Sequence, residues 1–313
     1  MTTFLNAVTA DHFDTEVLQQ HWIPLAADDA DTAAVLRERL GIDFTAARTQ
    51  VWESDNFRYF PVAATYRRGE TIERETIVFA LGGEFLVTLQ PSEHFLPFDK
   101  AVTKMRRDPA LAGSAQGVMY ALLWALNEES ERVIHHAVDA LEAMNDEIET
   151  AADGDDRRGR AIGIPDLHGT ISRMNATEQV VSRTRQAQLQ LARAARHLTA
   201  DTVPGHELNG SIRILAADIE GVAQQAGFAH EKARYLQQAV KIRLDAHRGR
   251  ALGVWTFITA VLLPPTLIAT CSGIYFALVA ALSWPYEILA VTLMTLLAAA
   301  IPWAYLEKKG RLR

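Results

Sequence analysis

From Ala251 to Tyr275 the chain carries no charged residue over about 25 positions, and about 20 suffice to cross a hydrocarbon core as a helix. A second run, Tyr286 to Leu306, contains only Glu287, in its first turn, and stops at Glu307-Lys308-Lys309-Gly310-Arg311-Leu312-Arg313. The pattern predicts two membrane helices, 251–275 and 286–306, joined by an external loop at 276–285 and followed by a basic cytosolic tail at 307–313. Lys241, Arg243, Arg248 and Arg250 precede the first span, basic residues follow the second, and the loop has none. By the positive-inside rule both chain ends face the cytoplasm. Trp255, Trp284, Tyr286, Trp303 and Tyr305 lie near the boundaries. They read either as interfacial belts or as ordinary packing residues.

The rest of the chain is of another kind. Hydrophobic residues make up 49% and the mean hydropathy is near zero, but the average conceals a polar, acidic portion up to about His247. The net charge is -7, with acid concentrated between Glu128 and Asp156 and base at 241–250 and 308–313. Basic flanks beside apolar runs suit anionic lipid headgroups rather than nucleic acid. Residues 1–10 show no basic start followed by a sustained apolar stretch, so no secretory signal is read there. One cysteine, Cys271, excludes an intramolecular disulfide and a cysteine-rich zinc site within one chain.

Residues 1–108 mix strand and helix signals and form an α/β platform: Asn56 to Tyr66, Glu75 to Leu81 and Glu84 to Leu89 are β-branched and aromatic runs. Gly82-Gly83 marks a hairpin between the last two, and Asp31 to Leu40 reads as a helix closed by Gly41. Residues 109–250 are helical. A first helix over about 115–152 buries Leu122, Leu126, Ile134, Val138, Leu141 and Ile148 on one face, and a second covers about 165–199. The third begins near His206 with Ile212, Leu215, Ile219, Val222, Leu236 and Val240 at core spacing. No breaker separates it from the first span, so stalk and span read as one helix of about 70 residues, near 100 Å at 1.5 Å per residue. The fold class is an α+β cytosolic domain with long stalk helices and two C-terminal transmembrane helices.

Written at helical spacing, one side of the first span reads Leu252, Thr256, Thr259, Leu263, Thr266, Thr270 and Gly273. Repeated by symmetry, threonine rings can offer oxygens to a hydrated cation, with Leu252 and Leu263 as apolar constrictions. The same hydroxyls can instead bond to their own backbone or glue helices together. Pro264-Pro265 interrupts the backbone ladder at mid-depth. Glu287 at the external mouth either concentrates cations as a ring or is a solvated first-turn acid. Two helices cannot enclose an aqueous path, so transport requires several copies around an axis. Glu128, Glu131, His135, Asp139, Glu142, Asp146 and Glu149 form an acidic face on the first long helix, readable as oxygen ligands for divalent cations or as a solvated side. The platform has no phosphate loop and no GxSxG, and no nucleophile, base and orienting group recur at catalytic spacing, which argues against an enzyme.

This architecture resembles the CorA family of divalent cation transporters, including its ZntB-like branch. Leu263-Pro-Pro-Thr-Leu-Ile-Ala-Thr-Cys-Ser-Gly-Ile-Tyr-Phe276 is similar to the family's Pro-Leu-Thr stretch leading to Tyr-Gly-Met-Asn-Phe. Gly273 matches the motif glycine, Ile274 stands for methionine and Tyr275 for asparagine, so the chain resembles a divergent, CmaX-like member. The resemblance implies a CorA-like funnel, a homopentamer in the cytoplasmic membrane, and divalent cations as cargo, zinc or magnesium, with no resident cofactor. It further implies a pore-facing Thr266, a hydrophobic gate at Leu252, and an entrance at Gly273, Ile274 and Tyr275.

Overall fold

The computed structural model describes residues 20–44, 51–158, 164–201, 207–278 and 285–308. Within these, side chains are described except at 150–168, 201, 243–254, 256–257, 275–278, 285–288, 290 and 305–308. The chain divides into two compact units, Met1–Gln237 and Gln238–Arg313.

In the first unit, alternation of apolar residues builds a sheet covered on both faces. Its strands are β1 (Trp22–Ala26), β2 (Trp52–Glu53), β3 (Arg58–Arg68), β4 (Thr71–Leu81) and β5 (Leu86–Gln90), in the order β1-β5-β4-β3-β2. β1 runs parallel to β5, and the other pairings are antiparallel. Because side chains alternate across a strand, Phe60, Val62, Ala64, Tyr66, Ile77 and Phe79 enter one core, while Tyr59, Val78, Ala80 and Val87 enter another. The second core is closed by α1 (Ala30–Leu40), which contributes Leu36. Asp29 caps α1 by accepting from the Thr32 N–H at 3.0 Å, and Gly41 ends it at φ 68, a left-handed conformation that glycine adopts without a Cβ penalty.

β4 begins at Thr71 rather than near Glu75, paired with β3 through to Arg68. Its first residues, Thr-Ile-Glu-Arg, lie on an exposed end of the hairpin, where composition carries no burial signal. At that end the Tyr66 hydroxyl donates to Glu73 at 2.6 Å across the hairpin. Burial, then the hydrogen bond to Glu73 and its charge, push the Tyr66 phenol well above its ordinary range. The outer edge of β3 is paired with β2 only at Arg58 and Tyr59. Beyond that, Pro61 has no N–H to offer, and the Ala63 N–H donates to Gln190 Oε1 at 2.7 Å.

The first core is closed by helices. α2 (Leu96–Arg107) supplies Phe98, Ala101, Val102 and Met105; a 3-10 turn (Pro109–Gly113) leads into α3 (Ala115–Arg158). α4 (Ile164–Asp201) returns antiparallel to α3, with Arg173 paired to Glu147. α5 runs unbroken from Glu207 to Leu278, 72 residues. Leu122, Leu126, Ile134, Leu141 and Ile148 of α3 are buried, as are Ile212, Leu215, Ile219, Val222, Leu236 and Val240 of α5, on the faces that their spacing predicts. Val138 is half-buried.

The second unit consists of the end of α5 and α6 (Pro285–Lys308, 24 residues). Among the described residues no helix is long and apolar enough to cross a membrane; the charge-free stretch of α5 whose side chains are described without interruption, 258–274, is seventeen residues. α6 exposes Leu289, Leu293, Met294, Leu296, Leu297 and Ile301 by more than half of each.

Candidate functional site

Two clusters can be built from the residues upward. The first is the C-terminal part of α5. The Thr259 hydroxyl donates to the Trp255 carbonyl at 2.8 Å, that of Thr266 to the Leu262 and Leu263 carbonyls at 2.9 Å each, and that of Thr270 to the Thr266 carbonyl at 2.7 Å. Ser272 does the same toward Ile268 at 2.8 Å. Each hydroxyl proton is thus committed to its own helix, as expected where the backbone must be satisfied internally. The oxygen lone pairs are not consumed by this, and an acceptor is what water in a cation's hydration shell requires.

Leu263 is exposed between these threonines and Ile274 beyond them, and the position of the Gly273 side chain opens into free space. Leu252, Thr256 and Tyr275 lie on α5 and Glu287 in the first turn of α6, but their side chains lie outside the described ones. Pro264 and Pro265 sit inside α5. Having no N–H, they leave the carbonyls of Ala260 and Val261 without the usual partner four residues on. The second proline is followed at once by Thr266, whose hydroxyl adds a bond to the neighbouring carbonyls of Leu262 and Leu263.

The second cluster is the acidic side of α3. His135, Asp139, Glu142 and Glu149 are exposed, and Glu128 and Glu131 are half-buried. Glu142 accepts from Lys232 Nζ of α5 at 2.9 Å, and Glu149 accepts from Asn145 at 3.0 Å. Among the described residues no three His, Cys, Asp or Glu converge closely enough to hold a metal ion. Spacing along α3 overlooks Glu129, one residue off the acidic line. It is buried and ion-paired with Lys100 of α2, with Arg132 3.7 Å away. A carboxylate that deep needs a cation beside it, so its role is to tie α3 to α2. Also overlooked are Ile214, Phe228, Tyr235 and Ile242, exposed on α5 at 61–71%. Their spacing in multiples of seven is visible in the sequence, on the side of α5 opposite its buried face.

The family profile described as CorA-like Mg2+ transporter protein matches residues 19–309. The chain belongs to that family of divalent cation transporters, whose members are not enzymes. It is 22% identical over 300 residues to the magnesium transport protein CorA of Escherichia coli K12, covering 92% of this chain and 91% of that one. Among solved structures, the CorA magnesium transporter of Methanocaldococcus jannaschii superposes with a TM-score of 0.63 at 11% identity, covering 91% of this chain and 89% of that one. The full-length CmaX protein does so with 0.57 at 15% identity, covering 92% and 87%. At these identities the structural likeness is one of fold.

Proposed function

We propose that this chain is one subunit of a homo-oligomeric pathway for divalent metal cations across the cytoplasmic membrane, pentameric by family likeness, with zinc or magnesium as cargo. In this reading residues 1–108 form the cytosolic platform and 109–250 the long helices. Residues 251–275 and 286–306 are the spans, 276–285 the external loop and 307–313 a basic cytosolic tail. The apolar side chains that α6 exposes support lipid contact, because contiguous apolar surface of this extent is normally covered.

The observation that carries the proposal is the alignment of the Thr259, Thr266 and Thr270 oxygens on a charge-free helix, their protons already spent on the backbone. Cations enter past Glu287, Tyr275, Ile274 and Gly273. They descend along Thr270, Thr266, Leu263, Thr259 and Thr256 to a gate at Leu252. For passive flux the membrane potential supplies about 4.6 kcal/mol per 100 mV for a divalent ion. The acidic side of α3, Glu128, Glu131, His135, Asp139 and Glu142, draws cations to the cytosolic surface by its field.

A second reading, a membrane-anchored sensor or scaffold that does not conduct, is favoured by one residue: Tyr275 stands where the family motif has asparagine. Reconstitution of the full chain in proteoliposomes decides between the two. Flux of magnesium or zinc is expected, falling roughly tenfold in Thr266→Leu or Thr270→Leu because the oxygens that replace bulk hydration are lost. Assembled rings that move neither ion establish the scaffold reading instead.

A further inference from the structure

Between the last turns of α4 and the early turns of α5, within the first unit, lies an open recess of about 460 Å³ with Arg196, Arg213 and Glu220 among its walls. The antiparallel register of the two helices is fixed further along by His230 against Glu178 at 3.1 Å and by Gln237 against Asn175 at 3.0 Å. Counted back from those pairs, Arg196 stands level with Arg213, one guanidinium from each helix. Like charges placed opposite each other repel, and among the described residues neither arginine is ion-paired. Glu220 lies two turns beyond Arg213, about 10 Å along the axis, and forms no ion pair with either. The Arg196 Nε donates to the Ala192 carbonyl at 3.2 Å, which anchors the group and leaves its two terminal nitrogens free to donate. The Thr199 hydroxyl gives its proton to the Ala195 carbonyl, so charge rather than a hydroxyl sets what this end of the recess accepts.

We propose that the recess is a binding site for a nucleoside phosphate. A phosphate group near neutral pH carries close to two negative charges and three strong acceptor oxygens, which two guanidiniums on facing helices can clamp through charge-assisted forks. Ala200, Ala216 and Ala217 line the remainder without a large side chain, so a flat base has an apolar surface to lie on. Glu220 at the far end accepts from hydroxyl or amino donors, which a lone phosphate does not place there. The volume is in the range of small-molecule sites. Divalent cations take the same phosphate oxygens, so the site selects the metal-free nucleotide and empties as free cation rises. The inference stands on the first unit alone and does not require the pathway proposed above.

The test is calorimetric titration of the full detergent-solubilised chain with ADP in EDTA and, separately, with inorganic phosphate. ADP is expected to bind at least roughly tenfold more tightly than inorganic phosphate, and to weaken roughly tenfold in Arg196→Gln and in Arg213→Gln as one charge-assisted contact is lost. Both arginines are exposed, so an unchanged thermal midpoint is expected in these variants. Ala217→Trp fills the recess and is expected to weaken ADP by a similar factor while leaving inorganic phosphate within about twofold. Equal affinity for ADP and inorganic phosphate, ADP binding unchanged in both arginine variants, or no binding of ADP at about 5 mM overturns the proposal. Smaller assemblies in the arginine variants without ADP binding overturn it too, and assign the arginines to a carboxylate of another copy. None of these readouts uses flux, so their failure leaves the pathway standing.

Discussion

Tyr66 packs its ring edge-on against Phe95, centroids 5.0 Å apart, and gives its proton to Glu73. In the unfolded chain a tyrosine ionises near pH 10, whereas here burial and Glu73 hold the phenol protonated above that. The stabilisation is therefore complete below pH 10 and is lost as pH rises above it toward the folded value. Tyr66→Phe is expected to flatten the alkaline fall in stability, read from urea transitions of the detergent-solubilised chain between pH 9 and 11, at a cost of ~1 kcal/mol at neutral pH for the missing hydrogen bond. The pair was not legible in the sequence, where the β-branched and aromatic run begins at Glu75. The threonines of α5 were legible, since their spacing alone puts them on one side; where their protons go needed coordinates.

At the level of elements, the long helices and their buried faces could be read from periodicity because each is many turns long and its core residues recur at helical spacing, with Val138 alone of those named only half-buried. β1 could not: it is five residues with a proline at its centre, and its pairing partner β5 lies some sixty residues later. The junction between the 3-10 turn and α3 was equally silent. There a Cβ on Gly117 falls 2.3 Å from the Leu111 carbonyl oxygen, a backbone atom that cannot swing away. Gly117→Ala is expected to destabilise the first unit by ~2 kcal/mol, as overpacking does, seen as a lower thermal midpoint by circular dichroism. The continuity of α5 followed from the absence of a breaker before Pro264. Its exposed apolar line was just as visible in the letters, but an exposed face has no burial pattern to announce it.

For the whole molecule, family membership came from the order of parts more than from identity, and the relatives agree at 22% identity over nearly the full length. Under the proposed function the departure at Tyr275 bears on which ion is accepted, which neither fold nor composition addresses. If copies share one path, impaired copies must harm their partners. Mixing wild-type and Thr266→Leu chains in proteoliposomes is therefore expected to lower flux more steeply than the mutant fraction, whereas independent subunits give a straight line. The free edge of β3 bears on what happens when many such chains meet. With Pro61 lacking a donor and Ala63 already engaged by Gln190, two positions along that edge offer no free N–H to a strand from another molecule, so sheet extension is disfavoured there.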